Sequence, residues 1–137
     1  MEKIKLMLAE NDEDENLFMV EGFLSTGLYD IIGNALSGEE LLQQLDRPDQ
    51  PMPDLIITDQ NMQGKTGFDV IRTLKANPKF SSIPIIVLST ASTRSMIDKC
   101  KELGGYAYMV KPDTFTEYDR LAHALYHQLV AERSGGT

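Results

Sequence analysis

Asp54-Leu55-Ile56-Ile57-Thr58-Asp59-Gln60-Asn61-Met62 is the stretch that decides the fold. Leu55 to Thr58 are apolar or β-branched, and a run so short and so apolar reads as a buried strand of a parallel sheet. It ends in a carboxylate, Asp59. Open α/β sheets place their ligand chemistry at the C-terminal ends of such strands. On this segment alone Asp59 reads equally well as the cap of a following helix or the start of a turn. The rest of the chain decides between the two.

Working outward toward the N-terminus, Arg47 to Pro53 is a proline-rich loop, and Ser37 with Glu40 forms a capping box for a helix whose inner face is Leu41, Leu42 and Leu45. A second strand centres on Ile31-Ile32. Before it, a helix begins at Glu13 or Asp14, with Leu17, Val20 and Leu24 at helical spacing and Gly27 as its stop. Ile4 to Ala9 is the first strand, and it runs straight into Glu10-Asn11-Asp12. Toward the C-terminus, Gln63 to Gly67 is a loop and Phe68 to Ala76 a helix. Ile85 to Leu88 is a fourth strand ending in Ser89-Thr90. Arg94 to Leu103 is a helix stopped by Gly104-Gly105. Ala107 to Val110 is a fifth strand, ending in Lys111-Pro112. Thr114 or Thr116 caps a last helix with Tyr118, Leu121, Leu125 and Leu129 on one face. Strand and helix alternate five times, which predicts a doubly wound, five-stranded parallel sheet, (βα)5, with helices on both faces.

The 137 residues make one domain, expected over 1–133, with a disordered tail at 134–137. An apolar fraction of 42% supports a core without staples, and the single cysteine, Cys100, reads as a buried small hydrophobe. No apolar run approaches the ~20 residues that span a bilayer, and the N-terminus lacks the pattern of a signal peptide, so the cytoplasm is the expected location and no membrane the expected partner. A net charge of −8 argues against direct nucleic-acid binding. Five acids crowd between Glu10 and Glu15. Such a cluster is usually a solvated helix start, with a cation site as the sharper alternative.

Four strands end in polar residues able to do chemistry: Glu10-Asn11-Asp12, Asp59, Ser89-Thr90 and Lys111. In a doubly wound sheet these ends converge on one crevice. Clustered carboxylate and amide oxygens suit Mg²⁺, a lysine and a hydroxyl suit a phosphoryl group, and Asp59 between them can serve as a nucleophile. Each residue alone has an ordinary explanation, Lys111 as a surface lysine and Ser89 as a strand-end cap. Their coincidence at matching positions is what points to a site.

In order and spacing these residues, from about Ile4 to Val130, resemble the receiver domain of bacterial two-component response regulators, with the CheY-like, flavodoxin-like fold. Asp59 with Met62 and Gly67 is similar to the family's phosphoacceptor motif. The resemblance implies that Asp59 takes a phosphoryl group from a sensor histidine kinase or histidine phosphotransfer protein. It implies Ser89 and Tyr108 as the switch pair and Lys111 and Ser89 as phosphoryl-stabilising groups. It implies a cis bond between Lys111 and Pro112. It also implies Mg²⁺ held by Asp59, Asn11 and the Asn61 carbonyl, with Glu10 acting through water and Asp12 in the same acidic pocket. Two positions depart from the family pattern. Asn11 stands where a second acid is usual, which lowers the expected metal affinity, and Gln63 stands where a proline is usual.

The expected function is thus a phosphorelay switch. It is not an enzyme beyond catalysing its own phosphorylation and dephosphorylation. With no output domain following, its effect is expected to pass through an unidentified output protein, or through a homodimer, at the surface of the fourth helix, fifth strand and fifth helix. Arg94, Lys99, Lys101 and Arg120 there read as solvated faces or as a docking surface for an acidic partner. The alternative is a degenerate receiver that binds partners without phosphorylation, with Asn11 as its main support. An aspartyl phosphatase is disfavoured by Asn61 where a second acid is needed, and a flavin carrier by the acidic first loop.

Overall fold

A computed structural model describes residues 2–135. Among them five strands alternate with five helices: β1 (Ile4–Ala9), α1 (Glu13–Leu24), β2 (Tyr29–Ala35), α2 (Gly38–Leu45), β3 (Leu55–Asp59), α3 (Gly67–Lys75), β4 (Ile85–Ser89), α4 (Arg94–Glu102), β5 (Ala107–Val110) and α5 (Phe115–Gly135). The strands form one parallel sheet in the order β2-β1-β3-β4-β5, the doubly wound arrangement that the alternation predicts. The chain reverses its winding between β1 and β3, so a crevice opens at their C-terminal ends.

The segment that decides the fold lies at the centre. Every residue of β3 is buried, as is every residue of β4 beside it. Successive side chains point to opposite faces. Ile56 joins a core under α2, α3 and α4, with Met7, Leu41, Ile71, Val87 and Cys100. Ile57 joins a second core under α1 and α5, with Leu8, Phe23, Tyr118 and Leu125. Cys100 is buried there as a small hydrophobe, and burial pushes its thiol pKa up.

The helices start where the sequence supplies caps. Ser37, Thr66 and Thr93 cap α2, α3 and α4, and the Thr114 hydroxyl accepts the Glu117 backbone N–H at 3.1 Å at the head of α5. Gly27 (φ 73°) and Gly104 (φ 96°) take the left-handed turns that follow α1 and α4.

Three expectations need correcting. The inner face of α1 differs from the expected Leu17, Val20 and Leu24: Leu17 is 58% and Leu24 50% exposed, and of the three only Val20 packs, half-buried, against the core. Asn16, Met19, Gly22 and Phe23 face inward instead. The buried Asn16 sets this rotation, because its amide donates to the Glu10 carbonyl (3.2 Å) and to Asn34 Oδ1 (2.7 Å) and so ties α1 to the ends of β1 and β2. The bond between Lys111 and Pro112 is trans, since the described residues contain no cis peptide. Lys111 N–H still donates to the Ser89 carbonyl at 2.7 Å, so the extended ladder runs on to the residue before the proline, a conformation that suits a trans X–Pro bond. Finally, α5 continues to Gly135, so the first half of the expected tail is helical, and residues 136–137 lie outside those described.

Candidate functional site

The crevice gathers one side chain from each of three strand ends. Lys111, leaving β5, reaches back across the sheet edge, and its Nζ lies 2.7 Å from Glu10 Oε1 and 3.5 Å from Asp59 Oδ1. All three side chains are shielded, with exposures of 10% for Lys111, 3% for Glu10 and 4% for Asp59. Lys111 is therefore no free surface lysine. Ser89 is buried at the end of β4, one residue beyond Leu88, the ladder partner of Asp59.

The ordinary explanations for these residues are filled by others. Thr66, not Asp59, caps α3, and Asp69 completes the capping box. Thr93, not Ser89, caps α4. Asp12 is the reverse case. Its side chain accepts the Glu15 N–H at 3.0 Å and so caps α1, while its own N–H donates to Glu10 Oε2 at 3.0 Å.

Two contributors were not visible in the sequence. Glu15, in the first turn of α1, places Oε2 2.7 Å from Lys111 Nζ. Gln60 is buried just past β3, and its Oε1 accepts the Phe68 N–H at 3.0 Å, holding α3 against the strand end. Gly67 leaves the space for this closure, because a Cβ there would lie 2.9 Å from Gln60 Oε1 and 3.0 Å from the Asp59 carbonyl. Pro112 follows Lys111 at the exit of β5, half-buried.

Burial sets the electrostatics. It raises the pKa of Glu10 above its usual value, against the Asp12 N–H and the Lys111 ammonium, which lower it. It raises that of Asp59 likewise, against the charge of Lys111 and the backbone N–H of Asn61. For Lys111, burial alone favours the neutral amine, but the bonds to Glu10 and Glu15 and the charge of Asp59 carry its pKa well above the usual lysine range. The site is thus a compact cluster of three carboxylates around one ammonium.

The residues present fit a hard divalent cation. Asp59 Oδ1 is buried without a hydrogen-bond partner, an orphaned acceptor pointing into the crevice. The Asn61 N–H bonds to the Asp59 carboxylate, and the Asn11 amide lies between Glu10 and the Asn61 carbonyl. Mg²⁺ binds through one or two carboxylates and keeps several waters, so this oxygen set suffices even though the described residues hold no cluster of three or more His, Cys, Asp or Glu ligands. Asn11 is the weak member. In the orientation that satisfies its amide, the nitrogen donates to Glu10 Oε2 (3.0 Å) and to the Asn61 carbonyl (3.2 Å), two of the oxygens a cation needs.

The aromatic position of the implied switch pair is buried. Tyr108 already lies inside, its ring 5.6 Å from that of Phe68 and packed in the same core as Val87. Apolar contact with Phe68 holds it there. On the proposed output face, Arg94 pairs with Asp98 (3.3 Å) and Lys99 with Glu102 (4.0 Å) within α4, while Lys101 and Arg120 are exposed. Other concavities lie elsewhere. One of about 510 Å³ at the opposite edge of the sheet is lined by Met52, Pro84, Tyr106 and Arg133 and gathers no comparable set of groups. No helix among the described residues is long and apolar enough to cross a membrane.

The profile of the response regulator receiver domain matches residues 7–124 of this chain. Two-component response regulator ORR11 of Oryza sativa is 27% identical over 115 residues, covering 84% of this chain and 76% of that protein. Among solved structures, the phosphorylated cyanobacterial phytochrome response regulator RcpA superposes with a TM-score of 0.81 at 22% identity, over 93% of this chain and 94% of that one. The Mn²⁺-bound form of response regulator Rcp1 does so with a TM-score of 0.73 at 23% identity, over 89% and 91%. The chain spans only 29% to 42% of the length of four Arabidopsis thaliana response regulators that it matches. The sequence relatives named here are plant proteins, so the likeness reaches the family and not the bacterial origin that the resemblance implied. A profile match over most of the chain, on a doubly wound fold with the acid-and-lysine cluster at its switch point, places the chain in the response regulator receiver domain family.

Proposed function

We propose that this chain is a phosphoacceptor switch of a two-component phosphorelay, with Asp59 as the residue that carries the phosphoryl group. The observation that carries this reading is the Asp59 carboxylate, buried at the end of β3, whose Oδ1 makes no hydrogen bond and faces the Lys111 ammonium at 3.5 Å. An Asp59 oxygen forms the new bond to phosphorus as the bond from phosphorus to a donor histidine nitrogen breaks, and the leaving imidazole takes up a proton. Such transfers need position and countercharge more than covalent help. Lys111 supplies a fixed positive charge for one phosphoryl oxygen and Ser89 a hydroxyl for another. Asp59, the Asn61 carbonyl and the Asn11 amide oxygen would hold Mg²⁺, with Glu10 behind them, and the ion supplies charge neutralisation on the transferred group. Because Tyr108 already lies inside, the movement of Ser89 toward the phosphoryl group locks the ring rather than recruiting it. The α4–β5–α5 face is the surface whose populations shift. The donor is a sensor histidine kinase or histidine phosphotransfer protein, and the output partner or a second copy of the chain binds that face. The chain catalyses no reaction beyond its own phosphorylation and dephosphorylation.

A second reading is favoured by Asn11. Its amide satisfies Glu10 and Asn61 without any cation, as a receiver working through protein contacts alone would require. Incubation with acetyl phosphate and Mg²⁺, followed by intact mass measurement, separates the two. One added phosphoryl group in the wild type, absent in Asp59→Asn, supports the phosphoacceptor. An unchanged mass in both overturns it in favour of the phosphorylation-independent receiver.

A further inference from the structure

Lys111 does not pair chiefly with Asp59. Its ammonium has three donors. Glu10 and Glu15 take the two short contacts, each 2.7 Å, and Asp59 Oδ1 is left at 3.5 Å. The two short contacts are unequal in kind. Glu10 is buried, and its other oxygen accepts the Asp12 N–H at 3.0 Å, so it is fixed on both sides. Glu15 is fixed only at its backbone, where its N–H bonds to the Asp12 side chain, while its own side chain is 48% exposed and has water to turn into. A first-turn acid would favour the helix dipole wherever its side chain points. The direct bond to Lys111 is an additional fact about Glu15. It is also the one carboxylate of the cluster that can leave without stranding a buried charge.

We propose that Glu15 is a positioning residue that holds Lys111 in the resting state and surrenders it to the phosphoryl group on Asp59. This rests on Asp59 being the phosphoacceptor. A dianion arriving on Asp59 competes for the same ammonium and repels the Glu15 carboxylate, which swings outward. Resting affinity for phosphoryl-like anions is therefore set partly by Glu15, and its removal sensitises the switch.

The test uses Glu15→Gln, with Glu13→Gln as control, since it removes an equal charge from the same turn of α1. Without any phosphoryl analogue, the Lys111 ammonium and ε-methylene NMR signals, assigned by their loss in Lys111→Arg, move in Glu15→Gln and stay in place in Glu13→Gln. In titrations with beryllofluoride and Mg²⁺, Glu15→Gln binds about three- to ten-fold more tightly than the wild type, the range expected for losing one partly exposed ion pair and one like-charge repulsion. Lys111 signals that superimpose on those of the wild type overturn the proposal. So does a beryllofluoride affinity in Glu15→Gln that is equal to or weaker than the wild type's, or one matched by Glu13→Gln. If neither the wild type nor Glu15→Gln binds beryllofluoride, the phosphoacceptor reading itself falls and takes this role of Glu15 with it. Binding to the wild type that Glu15→Gln leaves unchanged overturns the role of Glu15 alone.

Discussion

Lys111 is the one cation among three carboxylates, and two of those, Glu10 and Asp59, are almost fully buried. Breaking a buried pair from one side leaves an uncompensated charge, so Lys111→Met is expected to destabilise the fold by about 3 kcal/mol at pH 7. The pH dependence has a definite sign. Glu10 and Asp59 both have pKa values raised by burial, so the folded state takes up their protons more readily than the unfolded chain. Their protonated forms contribute stability below the ordinary carboxylate range, and that contribution is lost as pH rises through the raised folded values. The ammonium offsets that loss in the wild type. The deficit of Lys111→Met therefore closes toward about pH 4 and opens above it. Urea unfolding at the two pH values checks this, and a deficit that grows on acidification contradicts it. The Lys111 pKa is itself raised from 10.5, so its contribution is complete below that value and is lost as pH climbs from there through the raised value. At Asn11 the same reasoning runs through charge. Asn11→Asp restores an anionic ligand and removes the amide nitrogen from the Asn61 carbonyl. About tenfold tighter Mg²⁺ binding by calorimetry is expected. An unchanged affinity would show that Asn11 does not limit the site.

Among the elements, α1 shows where sequence patterns reach their limit. The strands were legible because a short apolar run bounded by loops has few other interpretations, and their ends named Glu10, Asp59, Ser89 and Lys111 directly. The rotation of α1 was not, because Leu17, Met19, Val20, Phe23 and Leu24 offer apolar residues on more than one side. A polar residue, Asn16, decides between them through bonds to two other elements. Glu15 was hidden for a related reason: its partner lies 96 positions away, and nothing local marks it out from Glu13 or Asp14. The fit of α1 on α5 is now specific enough to test. A Cβ at Gly22 would lie 2.6 Å from Tyr118 Cβ, an atom that cannot move without its helix. Alanine is the better helix former by up to about 1 kcal/mol. Overpacking costs about 1–3 kcal/mol and outweighs that gain. Gly22→Ala is therefore expected to lower the urea midpoint, and a raised midpoint would mean that α1 and α5 are less closely seated than described.

At the scale of the whole molecule, the central sheet ties two cores together. β3 sends Ile56 into one and Ile57 into the other, so neither core survives without the strand they share. Small domains built this way unfold as one unit. The tyrosines report both sides, with Tyr29, Tyr118 and Tyr126 in the core under α1 and α5 and Tyr108 in the other. Urea transitions followed by tyrosine fluorescence and by far-ultraviolet circular dichroism are expected to coincide. Separate midpoints would reveal that one layer comes apart first. β4 and β5 pair along this sheet, Val87 with Tyr108 and Ser89 with Val110, so the proposed switch residues Ser89 and Tyr108 sit on neighbouring strands.

The lone thiol, that of Cys100, buried between α4 and the sheet, offers a built-in clock for this part of the fold. The thiol is almost fully buried, so its alkylation under native conditions depends on local opening around α4, and the rate reports how often that region opens. Adding a phosphoryl mimic to the far pole of the domain should slow or hasten that clock, with no probe grafted onto the protein.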